Sequence, residues 1–237
     1  MREKIIKNIY LTLAFIVAVA FLATFGKSAI LRAYIELGIG TCHQIPILCR
    51  EPSENIITPN INAQFVAQLV PYVFPEIKIS LPSGFTAVRG EMKKASYKKW
   101  RKPNARQVVY LLYEKPNFFA GLFPRFSKKG SKDDYDFIRR TMYARTDKVN
   151  GLADTFFVIM KSIFIPDLGN GEGVNMVRFT SGDKRGFINY NLGKKENYFD
   201  CNIIDKQGNF FKVYIKDAGA TLDLSRVLAI ISTVNKS

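Results

Sequence analysis

Apolar residues crowd the start of this chain and then thin into periodic patterns. Ile9 to Phe25 read IYLTLAFIVAVAFLATF, seventeen positions without a charge or a proline. The run continues through Gly26, Lys27 and Ser28 into AILRAYIEL. A spanning helix needs about 20 mainly apolar residues. That length is met if Lys27 snorkels to one interface and Tyr10 lies at the other. The pattern predicts a membrane helix over 9–29 with an amphipathic extension to Leu37, where Gly38 and Gly40 supply stop signals.

A basic start (MREKIIK) and Ala18-Val19-Ala20 would also suit a cleaved signal peptide. Further apolar or small residues follow Ala20 without a break, so the run reads as an uncleaved signal-anchor. Arg2, Lys4, Lys7 and the terminal amine outweigh Lys27 and Arg32 as flanking charge. The positive-inside rule then leaves residues 1–8 in the cytoplasm and residues 30–237 outside it, in a periplasmic or extracellular space.

Beyond the anchor, residues 30–60 read as a juxtamembrane helix followed by a neck broken by Pro46, Pro52 and Pro59. INAQFVAQLVPYVF places Ile61, Phe65, Val66, Leu69 and Val70 at helical spacing, ended by Pro71. EIKISLPSGFTAV alternates as a strand interrupted by a turn, and QVVYLLYEK is a second strand. RGEMKKASYKKWRKPNAR between them reads as a basic loop. DDYDFIRRTMYAR opens on acidic residues suited to a helix N-terminus, and GLADTFFVIMKSIFI is an apolar helix typical of a buried core. Two hairpins follow, around Ser181-Gly182-Asp183-Lys184 and around Asp205-Lys206-Gln207-Gly208. A helix capped by Asp223 closes the chain.

These elements predict an α+β fold: an N-terminal transmembrane helix, then one globular domain over 61–237 with an antiparallel sheet packed by helices. The hydrophobic fraction of 47% supports a buried core. The 35 basic against 20 acidic side chains, net +15, imply attraction to anionic partners. Outside the cytoplasm nucleic acid is set aside, which leaves anionic lipid or an acidic protein.

The chain contains one histidine, His43, near the expected membrane exit. That leaves no Ser-His-Asp set in the body of the domain. Cys201 lies in the alternating FDCNII, where a buried thiol is the ordinary case. Asp133, Asp134 and Asp136 are explained by helix capping. Asp167, Asn170 and Glu172 lack the spacing of a calcium loop, and no phosphate-binding glycine motif is present. No catalytic residue, metal site or cofactor is therefore assigned.

In TCHQIPILCR, Cys42 and Cys49 read as a disulfide closing a short loop in an oxidising space. Unpaired thiols are the alternative, and a metal pair lacks ligands. Arg89, Lys93, Lys94, Lys98, Lys99, Arg101, Lys102 and Arg106, with Trp100 and Tyr97 as interfacial anchors, form a candidate anion- or membrane-contacting patch. Phe118, Phe119, Leu122, Phe123 and Phe126 form either core or an apolar contact patch.

The expectation is a single-pass binding or accessory module, contacting a protein partner or an anionic membrane surface. The alternative is an envelope- or lipid-acting enzyme whose site is not legible in sequence.

Overall fold

The computed structural model describes residues 26–53, 56–57, 61, 63–88, 97–127, 131–165, 173–193 and 195–237. Within them the two expected hairpins form the middle of the larger sheet. β7 (Asn175–Ser181) turns through Gly182 into β8 (Lys184–Leu192), and β9 (Asn197–Ile204) turns through Gly208 into β10 (Phe210–Asp217). Both glycines have left-handed backbone, φ +58° and +83°, which a tight hairpin turn requires and glycine adopts without strain.

A third hairpin adds to β10 from much earlier in the chain. It joins β5 (Tyr97–Lys102) to β6 (Gln107–Glu114), and β6 pairs antiparallel along the whole of β10, from Phe210 with Glu114 to Asp217 with Gln107. The short strands β1 (Ile56–Ile57) and β4 (Thr86–Ala87) close the two edges. Among the described residues the sheet has eight strands in the order β1-β7-β8-β9-β10-β6-β5-β4, with β1 and β7 its parallel pair. A second, three-stranded antiparallel sheet contains β2 (Val70–Val73), β3 (Ile77–Leu81) and the C-terminal β11 (Asn235–Lys236). The α+β architecture with antiparallel sheets is as expected.

Strand pleating sends alternate side chains to opposite faces. One face of the large sheet presents Trp100, Val109, Leu111, Val213, Phe199 and Cys201 to a first core. β3 covers it with Ile77, Ile79 and Leu81, and α7 (Leu224–Ser232) adds Val227, Leu228 and Ile231. The opposite face is covered toward β7 and β8 and at one end of β9 and β10. There Phe187, Met176 and Phe210 meet a second core built by helices. Its main contributors are α5 (Asp134–Tyr143), α6 (Leu152–Phe164), Phe119 of α3 (Phe118–Leu122) and Ile35 of α1 (Lys27–Gly38). Asp133 and Asp223 cap α5 and α7, each accepting from the backbone N–H three residues on.

Two details differ from the sequence reading and two add to it. The neck packs into the domain: Ile35, Ile47 and Leu48 are buried in the second core, and the Ser53 N–H donates to the carbonyl of Met176. α2 (Ala63–Ala67) is a single turn, and Val70 with Pro71 belongs to β2. Proline is tolerated there because β2 pairs on one side only, so no ladder needs its missing N–H. Residues 97–102 are a strand rather than a loop, since β6 lies beside them with a full set of partners. FFAGLFPRF forms α3 and α4 (Pro124–Ser127).

Among the described residues no helix is long and apolar enough to cross a membrane. The expected span at 9–29 lies outside them apart from residues 26–29, at the start of α1.

Candidate functional site

Where no helix covers the second face of the large sheet, the side chains form an ordered array. Register places Lys99, Tyr110, Tyr214 and Asp200 in one row across β5, β6, β10 and β9. Tyr97, Leu112, Lys212 and Asn202 form the row on one side, and Arg101, Val108, Lys216 and Tyr198 the row on the other. Eight of these residues line a cleft of about 500 Å³: Tyr97, Val108, Tyr110, Leu112, Tyr198, Lys212, Tyr214 and Lys216.

The tyrosines contact one another. The Tyr97 and Tyr110 rings are 5.9 Å apart, as are those of Tyr110 and Tyr214. Ammonium groups lie over these rings, Lys99 above Tyr110 at 5.2 Å and Lys216 above Tyr198 at 5.3 Å. Such contacts hold the cations in place over a floor that is apolar in body and polar at its tips. Lys216 also pairs with Glu196 at 3.1 Å, and Tyr198 donates to the same carboxylate. That contact raises the Tyr198 hydroxyl above its ordinary pKa, with burial adding to the effect. For Glu196, burial, the largest influence, opposes the Tyr198 and Lys216 contacts, which prevail and leave its pKa lowered.

The inner end of the cleft is polar and closed. Lys212 donates to the carbonyl of Phe164 at 2.8 Å, which ties the cleft to the C-terminal end of α6. Its ammonium also stands 3.2 Å from Asp200, a fully buried carboxylate flanked by Asn189 and Asn202. Burial raises the Asp200 pKa, while Lys212, Asn189 and Asn202 pull it down without overcoming that effect. Among the described residues neither Asp200 oxygen has a hydrogen bond of good alignment, nor has Asn189 Oδ1 or either amide atom of Asn202. Buried polar atoms in this state are uncommon and mark a place that merits explanation.

The basic patch expected from sequence is divided by the pleat of β5. Lys99 and Arg101 face the cleft, with Tyr97. Lys98 and Lys102 point to the other side, Lys98 over the Phe74 ring at 4.9 Å. Trp100, expected as an interfacial anchor, is 0% exposed and packs edge-on against Tyr72 and Phe74 in the first core. Arg106 is exposed in the turn before β6, in left-handed backbone. Arg89, Lys93 and Lys94 lie outside the described residues.

The aromatic patch resolves mainly into core. Phe119 is buried against Phe137, and Phe118 and Phe123 are half-buried around the second core. Leu122 is exposed, and the Phe126 side chain lies outside the described set. Cys42 and Cys49 are joined by a disulfide with their Cα atoms 5.6 Å apart. Cys201 is buried in the first core and His43 is exposed beside the second, so the sheet separates them. No group of three or more His, Cys, Asp and Glu is placed to hold a metal ion among the described residues.

Sequence reading missed Tyr110, Tyr198, Tyr214, Lys212 and Lys216. The available signal was the alternation in VVYLL and FFKVYIK, whose second set of positions carries the tyrosines and lysines. That alternation identifies two strand faces but not which of them a helix covers.

No protein-family model matches the chain, and no curated protein matches it. A crystal structure from Bacteroides thetaiotaomicron aligns over 72% of this chain with 8% identity and a TM-score of 0.35. The chain spans 49% of that protein's length. A likeness this distant carries no argument about fold or function.

Proposed function

We propose that the chain is a single-pass, membrane-anchored binding module whose folded part lies outside the cytoplasm, and that the tyrosine-lined cleft docks an acidic segment of a protein partner. The observation that carries the reading is the cleft itself: half of one sheet face left uncovered, with four tyrosines and a rim of basic side chains. Tyrosine supplies rigid contact area with a polar tip and is enriched where proteins meet. Lys99, Arg101, Lys212 and Lys216 outnumber Glu196 and Asp200 around it, and the whole chain carries +15, so the favoured partner is acidic.

The charge-free run at 9–25 supports the anchor. The basic N-terminal flank and the Cys42–Cys49 disulfide support the orientation. A protein partner is favoured over lipid by the lining, which has four tyrosines with polar tips and only two aliphatic side chains. The cleft begins at Phe164, about 20 Å along the thirteen residues of α6 from the point where Ser28 meets Asn150.

A photoreactive residue at Tyr110 or Tyr214, in the full chain in its native membrane, tests the reading. The expected result is a discrete adduct with an acidic protein that disappears when Lys99, Arg101 and Lys216 are changed to Ser. Adducts with lipid alone, or adducts indifferent to those changes, would refute it.

A further inference from the structure

We propose that the shared outer face of α1 and α6 is seated in the interfacial layer of a lipid bilayer. The inference rests on the membrane-anchor reading and adds a second, flat contact to it.

α1 carries Ile30, Tyr34 and Leu37 at intervals of four and three residues, on one stripe. Their exposures are 72%, 68% and 90%, whereas Ile35 on the inner side is 1% exposed. Glu36, the one carboxylate of α1, falls off the stripe. α6 repeats the arrangement with Leu152, Phe156, Ile159 and Ile163, of which Leu152 and Ile163 are exposed. The helices run side by side in the same direction. Arg32 donates to the Val149 carbonyl at their N-terminal ends. Toward the other end Ile159 lines a shallow apolar cleft of about 360 Å³ with Tyr34, Leu37 and Ile39. Contiguous exposed apolar surface of this kind marks a contact with protein or membrane.

Continuity decides for the membrane. The apolar run ends at Phe25, and the next residue, Gly26, is already helical at φ −63°, ψ −35°, so α1 follows that run without an intervening segment of sequence. At 1.5 Å per residue, Ile30, Tyr34 and Leu37 lie roughly 8, 14 and 18 Å beyond Phe25 along the axis. The polar layer on one side of a bilayer is about 5–8 Å deep. Ile30 falls in it for an upright helix, and the other two enter it when the helix inclines. Lys27 is exposed at the N-terminal end of α1, within reach of headgroup phosphates for a helix leaving the bilayer there. An amphipathic helix lying in the interface, with a basic residue at its flank, has this composition.

The test labels single cysteines with an environment-sensitive fluorophore in the full chain, reconstituted in vesicles of phosphatidylethanolamine and phosphatidylglycerol. Cys42 and Cys49 are bonded and Cys201 is buried, so the introduced thiol takes the label. Sites are Tyr34→Cys, Leu37→Cys and Ile163→Cys, with Ile16→Cys inside the apolar run and Lys206→Cys on a distant turn as references. Melting curves establish that each variant is folded. The expected result is blue-shifted emission at 34, 37 and 163, quenched by nitroxide lipids several-fold more than at 206. Quenching at 16 alone, with the chain resistant to alkaline extraction, would overturn the inference and leave the anchor standing. Release by alkali with no quenching at 16 would remove the anchor and this inference together. Blue-shifted labels that nitroxide lipids do not reach, and that cross-link between copies, would assign the face to a second chain and overturn the proposal.

Discussion

The Lys212 ammonium stands 3.2 Å from a carboxylate oxygen of Asp200, a side chain with no exposed surface. Removing the cation leaves a buried carboxylate without its counter-charge, a change that typically costs about 3–5 kcal/mol. Lys212→Met is therefore expected to lower the urea midpoint strongly, and Asp200→Asn much less. The pH dependence has a definite sign. Burial holds the Asp200 pKa above its unfolded value, so the folded chain keeps this proton longer than the unfolded one. The group's contribution is greatest at acid pH and is lost as pH rises through the raised value. Urea titrations from pH 4 to 7 should show that slope in the parent and not in Asp200→Asn.

Lys161 is a second buried charge, with backbone partners. Its ammonium donates to the carbonyls of Arg50 at 2.6 Å and Ala144 at 2.9 Å. Burial lowers its pKa to about 7, with Glu51 opposing and Arg145 adding to the shift. The unfolded chain binds this proton more tightly than the folded one between pH 7 and the ordinary lysine range. Stability should rise with pH across that window, by on the order of 2 kcal/mol between pH 7 and 9 at about 1.4 kcal/mol per pKa unit. Lys161→Met should flatten the rise, as read from denaturant midpoints at each pH.

Trp100 is the single tryptophan of the chain, so its fluorescence reports one site. Enclosed by Tyr72 and Phe74, it should emit at short wavelength and resist acrylamide. Adding anionic vesicles should leave that emission unchanged, which an interfacial anchor would not. Trp100→Ala should cost about 3–5 kcal/mol through the cavity it leaves.

The Cys42–Cys49 bond closes a loop with a sequence separation of 7. By the chain-entropy relation a loop this short contributes roughly 2–3 kcal/mol. Cys42→Ser with Cys49→Ser should lower the melting temperature by several degrees, and the unreduced parent should take up no alkylating agent at either position. Because Ile47 and Leu48 inside the loop are buried in the second core, the loss should be felt at α6 as raised amide exchange.

Local chemistry determined much of this protein in advance. The two hairpins are written in short alternating runs around Gly182 and Gly208, and α5 and α7 in periodic runs behind Asp133 and Asp223. These signals act within a few residues, so they are readable without knowledge of the rest of the chain. The pairing of β10 with β6 joins residues 96 or more positions apart, and no local pattern specifies it. That pairing brings Tyr110 beside Tyr214 and sets Lys99 in the same row. Likewise, the run YKKWRK shows charge and aromatics together, but only the presence of β6 makes it a strand, and a period of two then buries Trp100 and parts Lys98 from Lys99. The open cleft has the same origin. It exists because α5 and α6 pack toward β7 and β8 and stop short of β5, a matter of how helix surfaces fit the sheet rather than of any single segment.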